Sequence, residues 1–384
     1  MPTEYKKPEW LTLLEFARPR PISGGLRGLL CPSFNWQVLL ELAERHGLIA
    51  LLADRIKNLG SLSVPQDFLA ASSEKLRTHS IFALQLTAEL FRVLERFSAA
   101  GIQILVTKGP ALSARCYGDP GMRQYGDLDL VLRESDIRGA TLTMFDLGYH
   151  PRVPLSAIDA GKIPGEYAFR KPGTSLLVEL HTERTFRYHP RQINIEQLFE
   201  RRATLLIDGR NIPVLSLEDE LVLICVHGAK HFWERLLWIS DVAALVFANR
   251  PTDWGRALSV ARDVGAERIL LLGLRLAADL LGADLPVQAR ADVESDRVVA
   301  KLAAQIEARL PTQETSDIGL LERAAFRIRM LGGVFAGVAY LLRLSLSPTE
   351  EDWPPGEEGN RPAFAETIRR PFRLAKKHGR RLGA

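Results

Sequence analysis

The sequence predicts an α+β fold in which a small, mixed-sheet α/β core is flanked by helical N- and C-terminal regions. Apolar residues recur at helical spacing over Trp36–Asn58 and Gln66–Ala99, and again through most of the chain after Ser216. Between these regions, short β-rich segments alternate with short helical patterns, which indicates a sheet packed against helices. The 384-residue chain is 46% hydrophobic and 25% charged, which excludes collagen-like, disulfide-rich and wholly disordered chains.

Charge and cysteine content restrict the function classes only weakly. The chain has 50 Lys+Arg against 46 Asp+Glu, and a net charge of +4 neither demands nor excludes a nucleic-acid partner. The scattered Cys31, Cys116 and Cys225 have no metal or redox spacing, which predicts reduced thiols in a cytoplasmic protein. Charges and prolines occupy the N-terminus, so no export signal is predicted. The longest apolar run, Met330–Leu342, is too short for a membrane span and predicts a buried core helix.

The predicted core elements follow the change from helical to alternating periodicity. Glycine opens the first strand, and proline stands just inside the start of the helix that follows it. In chain order we predict a strand at Gly101–Thr107, a helix at Pro110–Tyr117, a strand at Asp127–Leu132, a helix at Ser135–Leu147, a strand at Leu176–His181 and one or two short strands within Leu205–Leu215.

The C-terminal half is predicted to be helical, with helices at 216–231, 234–248, 253–263, 266–282, 294–309 and 319–345. The proline- and acid-rich segment 346–365 predicts a surface loop, and residues 369–381 form a basic tail. A basic tail is most often a solvated segment, with contact to an anionic partner as the alternative. The domain prediction is 1–99, 100–215, 216–345 and 346–384.

Two carboxylates mark the beginning of the second predicted strand. Asp127 and Asp129 project from the same face of a strand, roughly 6.5–7 Å apart along it. Leu128, Leu130 and Leu132 project from the other face, toward a core. Because like charges this close repel, a buried pair is sustained by protonation or by cations. The alternative is an ordinary solvated strand start, since two aspartates at this spacing recur in many proteins.

A third carboxylate strengthens the metal hypothesis. Glu179 lies on the later strand, and His181 shares its face by the period of two. Carboxylates from two strands can complete a two-metal site of the kind that suits phosphoryl chemistry. Earlier in the chain, Lys108-Gly109 forms a turn after the first strand, and the backbone N–H groups of such a turn can cradle phosphate.

Three stretches together resemble a known family. KGPALSARCYGDPGMRQYGDLDLVL, VELH and HGAKHFWERLLWISDVA resemble the bacterial uncharacterised nucleotidyltransferase family, a branch of the polymerase-β-like superfamily. The resemblance extends over roughly residues 40–375, and residues 108–132 and 227–243 are its most specific parts. Lys108-Gly109 replaces the glycine-serine pair of the wider superfamily, which bears on how the turn would hold a triphosphate. The resemblance implies that residues 100–215 are the nucleotidyltransferase core.

The resemblance also implies a mechanism. Asp127 and Asp129 would hold two Mg²⁺ (or Mn²⁺) ions on a nucleoside triphosphate (NTP) such as ATP, and Glu179 would hold the ion that activates an acceptor hydroxyl. That oxygen would attack the α-phosphorus as pyrophosphate leaves. Gly109 would let the backbone approach the triphosphate, and Lys108 would neutralise its β/γ charge.

Further residues are candidates for nucleotide contacts. Arg123 is expected either to bind phosphate in bidentate fashion or to form an ion pair that orients the two aspartates. His227, His231 and Trp238 fall on one side at helical spacing, and Lys230 is the expected phosphate contact beside them. We interpret this stretch, with His231 and His181, as part of a polar wall of the site. Zinc binding and an ordinary helix junction are the alternatives.

The predicted function is metal-dependent transfer of a nucleoside monophosphate (NMP) to an acceptor hydroxyl or phosphate on a small molecule, glycan or peptide. An RNA-directed transferase, an NTP-dependent kinase and a degenerate nucleotide-binding protein remain alternatives. A nucleic-acid acceptor requires a basic channel leading to the aspartates.

Overall fold

The computed structural model describes residues 7–20, 29–31, 33–57, 64–153, 158, 165–182, 193–247, 253–312 and 318–346. The predicted basic tail, and all but the first residue of the predicted surface loop, lie outside the described residues. Among the described helices, none combines the length and the apolar character that crossing a bilayer requires. The α+β fold class is confirmed, because helical regions precede and follow a seven-stranded mixed sheet along the chain.

The N-terminal region consists of four described helices: α1 Pro8–Ala17, α2 Trp36–His46, α3 Ile49–Lys57 and α4 Gln66–Ala99. The helix predicted over residues 36–58 is therefore two helices, because Gly47 adopts φ 76° in the left-handed region and ends α2. The Asn35 side chain caps the start of α2 by accepting the N–H groups of Gln37 and Val38 at 3.0 and 3.2 Å. Helix α1 was not predicted.

The sheet contains the strands β1 Leu105–Thr107, β2 Leu128–Val131, β3 His150–Pro151, β4 Glu166–Arg170, β5 Leu177–His181, β6 Ala203–Ile207 and β7 Arg210–Val214. Their order across the sheet is β3-β4-β5-β2-β1-β7-β6. Strand β2 is central, antiparallel to β1 and parallel to β5. The strands predicted for β1, β2, β5 and the β6–β7 pair are confirmed, whereas β3 and β4 were not predicted.

The alternation of β2 separates a core face from a polar face. Leu128, Leu130 and Leu132 are each 0% exposed and join the same apolar core as Leu86 and Leu90 of α4. The predicted core-facing leucines are thus confirmed. Because side chains alternate along a strand, the residues between these leucines project from the opposite face of the sheet.

The remaining described helices are α5 Gly109–Tyr117, α6 Ile137–Asp146, α7 Ile195–Glu200, α8 Leu217–Lys230, α9 Leu236–Phe247, α10 Trp254–Asp263, α11 Glu267–Leu281, α12 Val287–Ser295, α13 Arg297–Arg309, α14 Leu320–Met330 and α15 Val334–Leu346. The helix predicted over 319–345 is two helices, since Gly332 adopts φ 80° between them. Neither α7 nor α12 was predicted.

The predicted buried helix at Met330–Leu342 is wrong. Met330 ends α14 and is buried, but Val334 and Phe335, which begin α15, are 67% and 93% exposed. Tyr340 is buried, so α15 presents only one side to the core. An apolar run does not show which faces of the helix other elements cover. The prediction from the sequence therefore overestimated how much of this helix is buried.

The Trp233 side chain packs between the end of α8 and α11. A Cβ added to Gly228 would lie 2.6 Å from the Trp233 ring, and one added to Gly273 would lie 2.9 Å from it. Both glycines therefore leave the room that the indole occupies, and its side chain is fully buried.

Buried ion pairs connect the sheet region with the C-terminal helices. The Arg115 guanidinium on α5 pairs with Glu220 on α8, and it also donates to the carbonyl of Leu215 at 2.9 Å. Both side chains of the pair are almost inaccessible. Because an unpaired buried charge is costly, the pair fixes α5 against α8.

His46 at the end of α2 joins the N-terminal region to α9. It is 1% exposed, and its Nδ1 accepts the N–H of Leu236 at 3.1 Å. A proton on Nδ1 would face that N–H, so the neutral ring is favoured. Burial, helped by the neighbouring Arg45 charge, lowers the pKa of His46 to about 3.

We expect His46 to make the fold sensitive to acid. Its folded pKa is about 3 and its unfolded pKa about 6.5, so between these values the unfolded chain binds more protons, and stability decreases as the pH is lowered. Within that window the loss is about 1.4 kcal/mol per pH unit. His46→Asn keeps an acceptor but cannot titrate. Urea unfolding from pH 7 to 4 should give a shallower pH slope for the variant, and equal slopes would contradict the assignment.

Candidate functional site

Asp129 is the centre of the site. It is 2% exposed on the polar face of β2, with Thr107 of β1 on one side and Glu179 of β5 on the other. Its Oδ1 accepts the Lys108 ammonium at 2.7 Å and the His181 ring at 2.9 Å. Because an ionised carboxylate only accepts hydrogen bonds, His181 donates from Nε2.

Glu179 and His181 come from the neighbouring strand. In the parallel ladder the Cα of Glu179 pairs with that of Asp129, and Glu179 Oε2 lies 3.6 Å from His181 Nε2. One donor atom from each of Asp129, Glu179 and His181 lies within 4.8 Å of the others. We call these three residues the carboxylate cluster. Among the described residues, this is the one group of three or more metal-ligating side chains that lie this close together.

Asp127 is not part of the cluster. It is half-buried and directly precedes β2. Of the two aspartates that the sequence predicted at the start of this strand, only Asp129 lies within the ladder. Burial and the charge of Asp129 raise the pKa of Asp127. This influence indicates that the two carboxylates are near neighbours. A metal-binding role for Asp127 stays a prediction.

The charge of Asp129 is sustained by its neighbours. Burial alone would raise its pKa, but the charge of Lys108 and the hydrogen bond from His181 outweigh burial, and the pKa lies well below its usual range. Burial would likewise lower the pKa of both partners, yet the charge of Asp129 raises it for Lys108, and the hydrogen bond from His181 to Asp129 raises it for His181. The three groups therefore favour one another's charged forms.

Glu179 is less well compensated. Burial raises its pKa to about 7, and although His181 opposes the shift, the charges of Asp129, Glu166 and Asp127 add to it. An excess of carboxylate charge of this kind is relieved by a cation.

The donor set fits a divalent metal ion. Mg²⁺ prefers carboxylate oxygens, which Asp129 and Glu179 supply, and Mn²⁺ also accepts imidazole. His181 Nδ1 is buried and has no hydrogen-bond partner among the described residues, so this nitrogen is available to a metal ion when the ring is neutral. The cluster thus has the ligand types that a metal site requires, and Glu179 is the carboxylate in it whose charge is least compensated.

The turn at Lys108-Gly109 is strained. Lys108 adopts φ 49° and Gly109 φ 47°, an unfavourable region for a residue with a side chain. A Cβ on Gly109 would lie 3.4 Å from the carbonyl oxygen of Asp127, so the two backbone segments approach closely. The strain at Lys108 is sustained because its ammonium reaches Asp129.

Arg123 forms an ion pair, but not with the aspartates of the sheet. Its Nε donates to Asp241 Oδ2 of α9 at 2.8 Å, and Tyr117 donates to the other oxygen at 2.9 Å. The predicted ion pair that would orient Asp127 and Asp129 is therefore wrong in its partner. Arg123 is 4% exposed. Its binding to phosphate stays a prediction.

Lys230 lies at the edge of the site. Its Nζ is 3.5 Å from both oxygens of Glu166 on β4, and Glu166 pairs with His181 across the β4–β5 ladder. Half of the Lys230 side chain is exposed. The end of α8 therefore lies one strand away from the carboxylate cluster.

The rings of His227, His231 and Trp238 meet beside Lys230. The His227 centroid lies 4.8 Å from that of His231 and 5.2 Å from that of Trp238, and His231 lies 5.3 Å from Trp238. The helix ends at Lys230, however, and Trp238 belongs to α9. A turn between two helices, rather than one continuous helix, brings the rings together. No third metal-ligating side chain joins the histidines among the described residues, so a three-ligand zinc site finds no support.

Sequence reasoning missed Glu166 and did not identify Asp241 as the partner of Arg123. Both are contacted across long sequence separations, by Lys230 and by Arg123. Asp241 lies three residues after Trp238, in one of the stretches that resemble the family. A charged residue within an otherwise apolar helical pattern was the signal that could have indicated a buried ion pair. Glu166 lies on the unpredicted strand β4, so no local pattern indicated it.

A comparison with protein-family models gives a match over most of the described chain. The model of the family described as uncharacterised nucleotidyltransferase matches residues 32–282. This range contains the carboxylate cluster, the Lys108-Gly109 turn and helices α2 to α11. A search of curated proteins found no significant match.

Solved structures of nucleotidyltransferases are similar only at a low level. The solution structure of the antibiotic-resistance factor ANT(2'')-Ia shares 13% identity, covers 58% of this chain and 98% of its own, and has a TM-score of 0.31. A nucleotidyltransferase-like protein from Paracoccidioides brasiliensis shares 16% identity over 56% of this chain and 96% of its own, with a TM-score of 0.32. The crystal structure of ANT(2")-Ia in complex with adenylyl-2"-tobramycin shares 13% identity, covers 55% of this chain and 98% of its own, and has a TM-score of 0.30. Similarity at this level supports no argument about the present chain.

Opposite stability effects are expected for the two aspartates in metal-free protein. Asp127→Asn should raise the free energy of unfolding by a few tenths to about 1 kcal/mol, because it removes repulsion near the surface. Asp129→Asn should lower it by about 3 kcal/mol or more, because Lys108 and His181 lose their buried counterion. Urea unfolding in EDTA measures both. Equal effects of the two substitutions would contradict the asymmetry.

Proposed function

The chain belongs to the uncharacterised nucleotidyltransferase family and is a nucleotidyltransferase, and we propose that it transfers an NMP from an NTP to an acceptor hydroxyl or phosphate, releasing pyrophosphate. The observation that carries this proposal is the pairing of Asp129 with Glu179 on adjacent strands, with His181 within reach of both. Oxygen ligands from two strands are suited to holding divalent cations beside a phosphoryl group.

We propose Asp129, Glu179 and His181 as the residues that hold Mg²⁺ or Mn²⁺, with Asp127 as a further ligand at the exposed side. Bound divalent ions neutralise the triphosphate and polarise the reacting phosphorus and acceptor oxygens. Asp129 is the best prepared of these ligands, because its neighbours already keep it ionised. Its rigid position within the ladder fixes the site with respect to the sheet.

Lys108 and Gly109 are proposed to receive the triphosphate. The Lys108 ammonium bonds to Asp129, and its side chain remains partly exposed. Turning that side chain would move the positive charge toward phosphate oxygens without moving the backbone. Gly109 begins α5, and the positive end of the helix dipole at that terminus favours an anion, while the lack of a side chain permits close approach.

Lys230 and Arg123 have different proposed roles. Lys230 is exposed and its contact with Glu166 is long, at 3.5 Å, so the ammonium can turn to phosphate at small cost. Arg123 is already bound to Asp241. It lies within the loop that leads to Asp127, four residues before that aspartate. Arg123 therefore orients this loop whether or not its remaining N–H groups reach a phosphate.

Nucleotide binding should require a divalent metal. A triphosphate carries about four negative charges and would meet Asp127, Asp129 and Glu179 in a partly buried site, where repulsion amounts to several kcal/mol. Calorimetric titration of NTP should therefore show binding with Mg²⁺ and at least roughly 100-fold weaker binding with EDTA. Glu179→Gln should reduce the metal-dependent part, and Asp146→Asn on the exposed face of α6 is the matched control. Equally tight binding in EDTA would exclude the proposed metal role.

The masses of the products test the reaction itself. We expect incubation with each NTP, Mg²⁺ and a metabolite and peptide extract to give one acceptor whose mass increases by an NMP, together with pyrophosphate. Asp129→Asn should reduce product by more than the roughly 10–100-fold typical of residues that only support a metal's ligands.

An acceptor that gains only phosphate would instead identify a kinase. Metal-dependent NTP binding with no turnover of any extract component would favour a nucleotide-binding protein. Product on RNA ends, which digestion of the extract with ribonuclease abolishes, would favour the RNA-directed alternative.

A further inference from the structure

We propose that His227, His231 and Trp238, which we call the ring cluster, form the binding surface for the uncharged nucleobase of the nucleotide. The inference rests on the proposed function, because it assigns the base of the same NTP whose phosphates meet the carboxylate cluster. Neither the family match nor the site described above assigns this surface.

The ring cluster lies beside the carboxylate cluster. Lys230, at the end of α8 and directly before His231, contacts Glu166, and Glu166 pairs with His181 in the sheet. The charges of Lys108 and Asp129 both act on the His227 ring. A nucleotide whose phosphates are held near Asp129 therefore has the ring cluster as the adjoining wall.

The two imidazoles offer hydrogen bonds that the described chain does not use. Both rings are half-buried, and among the described residues they contact each other and Trp238, which is 7% exposed. A neutral imidazole carries one donor and one acceptor, so the pair can satisfy both kinds of group on the edge of a base. The largely covered indole packs against both imidazoles and supports them rather than offering a free face of its own.

Both histidines are neutral near pH 7. Burial lowers the pKa of His227, and the nearby Lys108 charge adds to the shift. Burial, followed by the charge of Lys230, lowers the pKa of His231 to about 4. Uncharged rings are poor ligands for phosphate and better ones for a neutral heterocycle. His231, which the sequence placed in a polar wall of the site, is therefore assigned to the base.

The backbone holds the rings in place at a conformational cost. Phe232 and Trp233 adopt φ 56° and 54°, which residues with side chains rarely do in succession. The turn persists because Trp233 fills the space left by Gly228 and because Arg309 donates to the Phe232 carbonyl at 2.8 Å. Strain that the surrounding structure enforces is concentrated at ligand sites, since it fixes side chains in advance of binding.

The test separates base from phosphate by comparing each of the four NTPs with inorganic tripolyphosphate, both in Mg²⁺, by calorimetry. The double variant His227→Ala/His231→Ala should bind its preferred NTP about 10-fold or more weakly, while its tripolyphosphate affinity stays within about two-fold of the wild type. His231→Phe keeps a ring and should lose less than His231→Ala. His150→Ala, an exposed histidine on β3, is the matched control.

Several outcomes overturn the proposal. These are unchanged NTP affinity in the double variant, an equal loss for NTP and tripolyphosphate, and wild-type protein that binds tripolyphosphate as tightly as any NTP. In each of these cases the proposed function stands, because metal-dependent phosphate binding is retained by the wild type. Wild-type protein that binds neither ligand in Mg²⁺ would instead refute the proposed function. If the double variant does not fold by circular dichroism, the two single His231 variants decide by the same comparison.

Discussion

The ionised carboxylate of Asp129 is the constraint on which the site depends. A carboxylate that is 2% exposed in the middle of a sheet is unfavourable unless it is paired and hydrogen-bonded. Its two partners come from different directions, Lys108 from the turn after β1 and His181 from the end of β5. The charge therefore requires the β1–β2–β5 register to be correct, since a slip by one residue would turn Asp129 into the leucine core.

The same charge explains features around it that would otherwise be unfavourable. Lys108 can remain at φ 49° because its ammonium gains a buried counterion. His181 can be buried in its charged form for the same reason. Glu179, next in the ladder, receives less compensation and has its pKa raised to about 7 by burial. The protein alone thus satisfies one carboxylate and leaves its neighbours for a ligand.

The sequence predicted the parts of this arrangement that have local signals. The leucines of β2 alternate with its aspartate, the glycine after Lys108 marks the turn, and the spacing of Glu179 and His181 places them on one face. Residues paired over long separations have no such signal. The strand containing Glu166 is defined by its pairing with β5 rather than by composition. Likewise, the partner of Arg123 lies on α9, and no pattern around Arg123 distinguishes Asp241 from the nearer aspartates.

The helix ends show a second limit of sequence reasoning. Gly47 and Gly332 each interrupt a continuous apolar pattern, and both take left-handed conformations that divide one predicted helix into two. An isolated glycine within a helical pattern is equally compatible with an unbroken helix, so periodicity alone does not decide. The exposure of the Phe335 side chain was mispredicted for a related reason, because an apolar side chain in a sequence does not show whether another element covers it.

The two buried arginines have a practical consequence for dissecting the chain. Every residue of the carboxylate cluster lies before residue 215, which suggests that this segment could be cut out and studied alone. Arg115 and Arg123 both belong to that segment, but their carboxylate partners, Glu220 and Asp241, lie beyond it. An excised fragment would retain two guanidinium groups without the carboxylates that pair with them. The loop that leads to Asp127 would then lose its anchor, so the smallest unit able to assemble the site has to include α8 and α9.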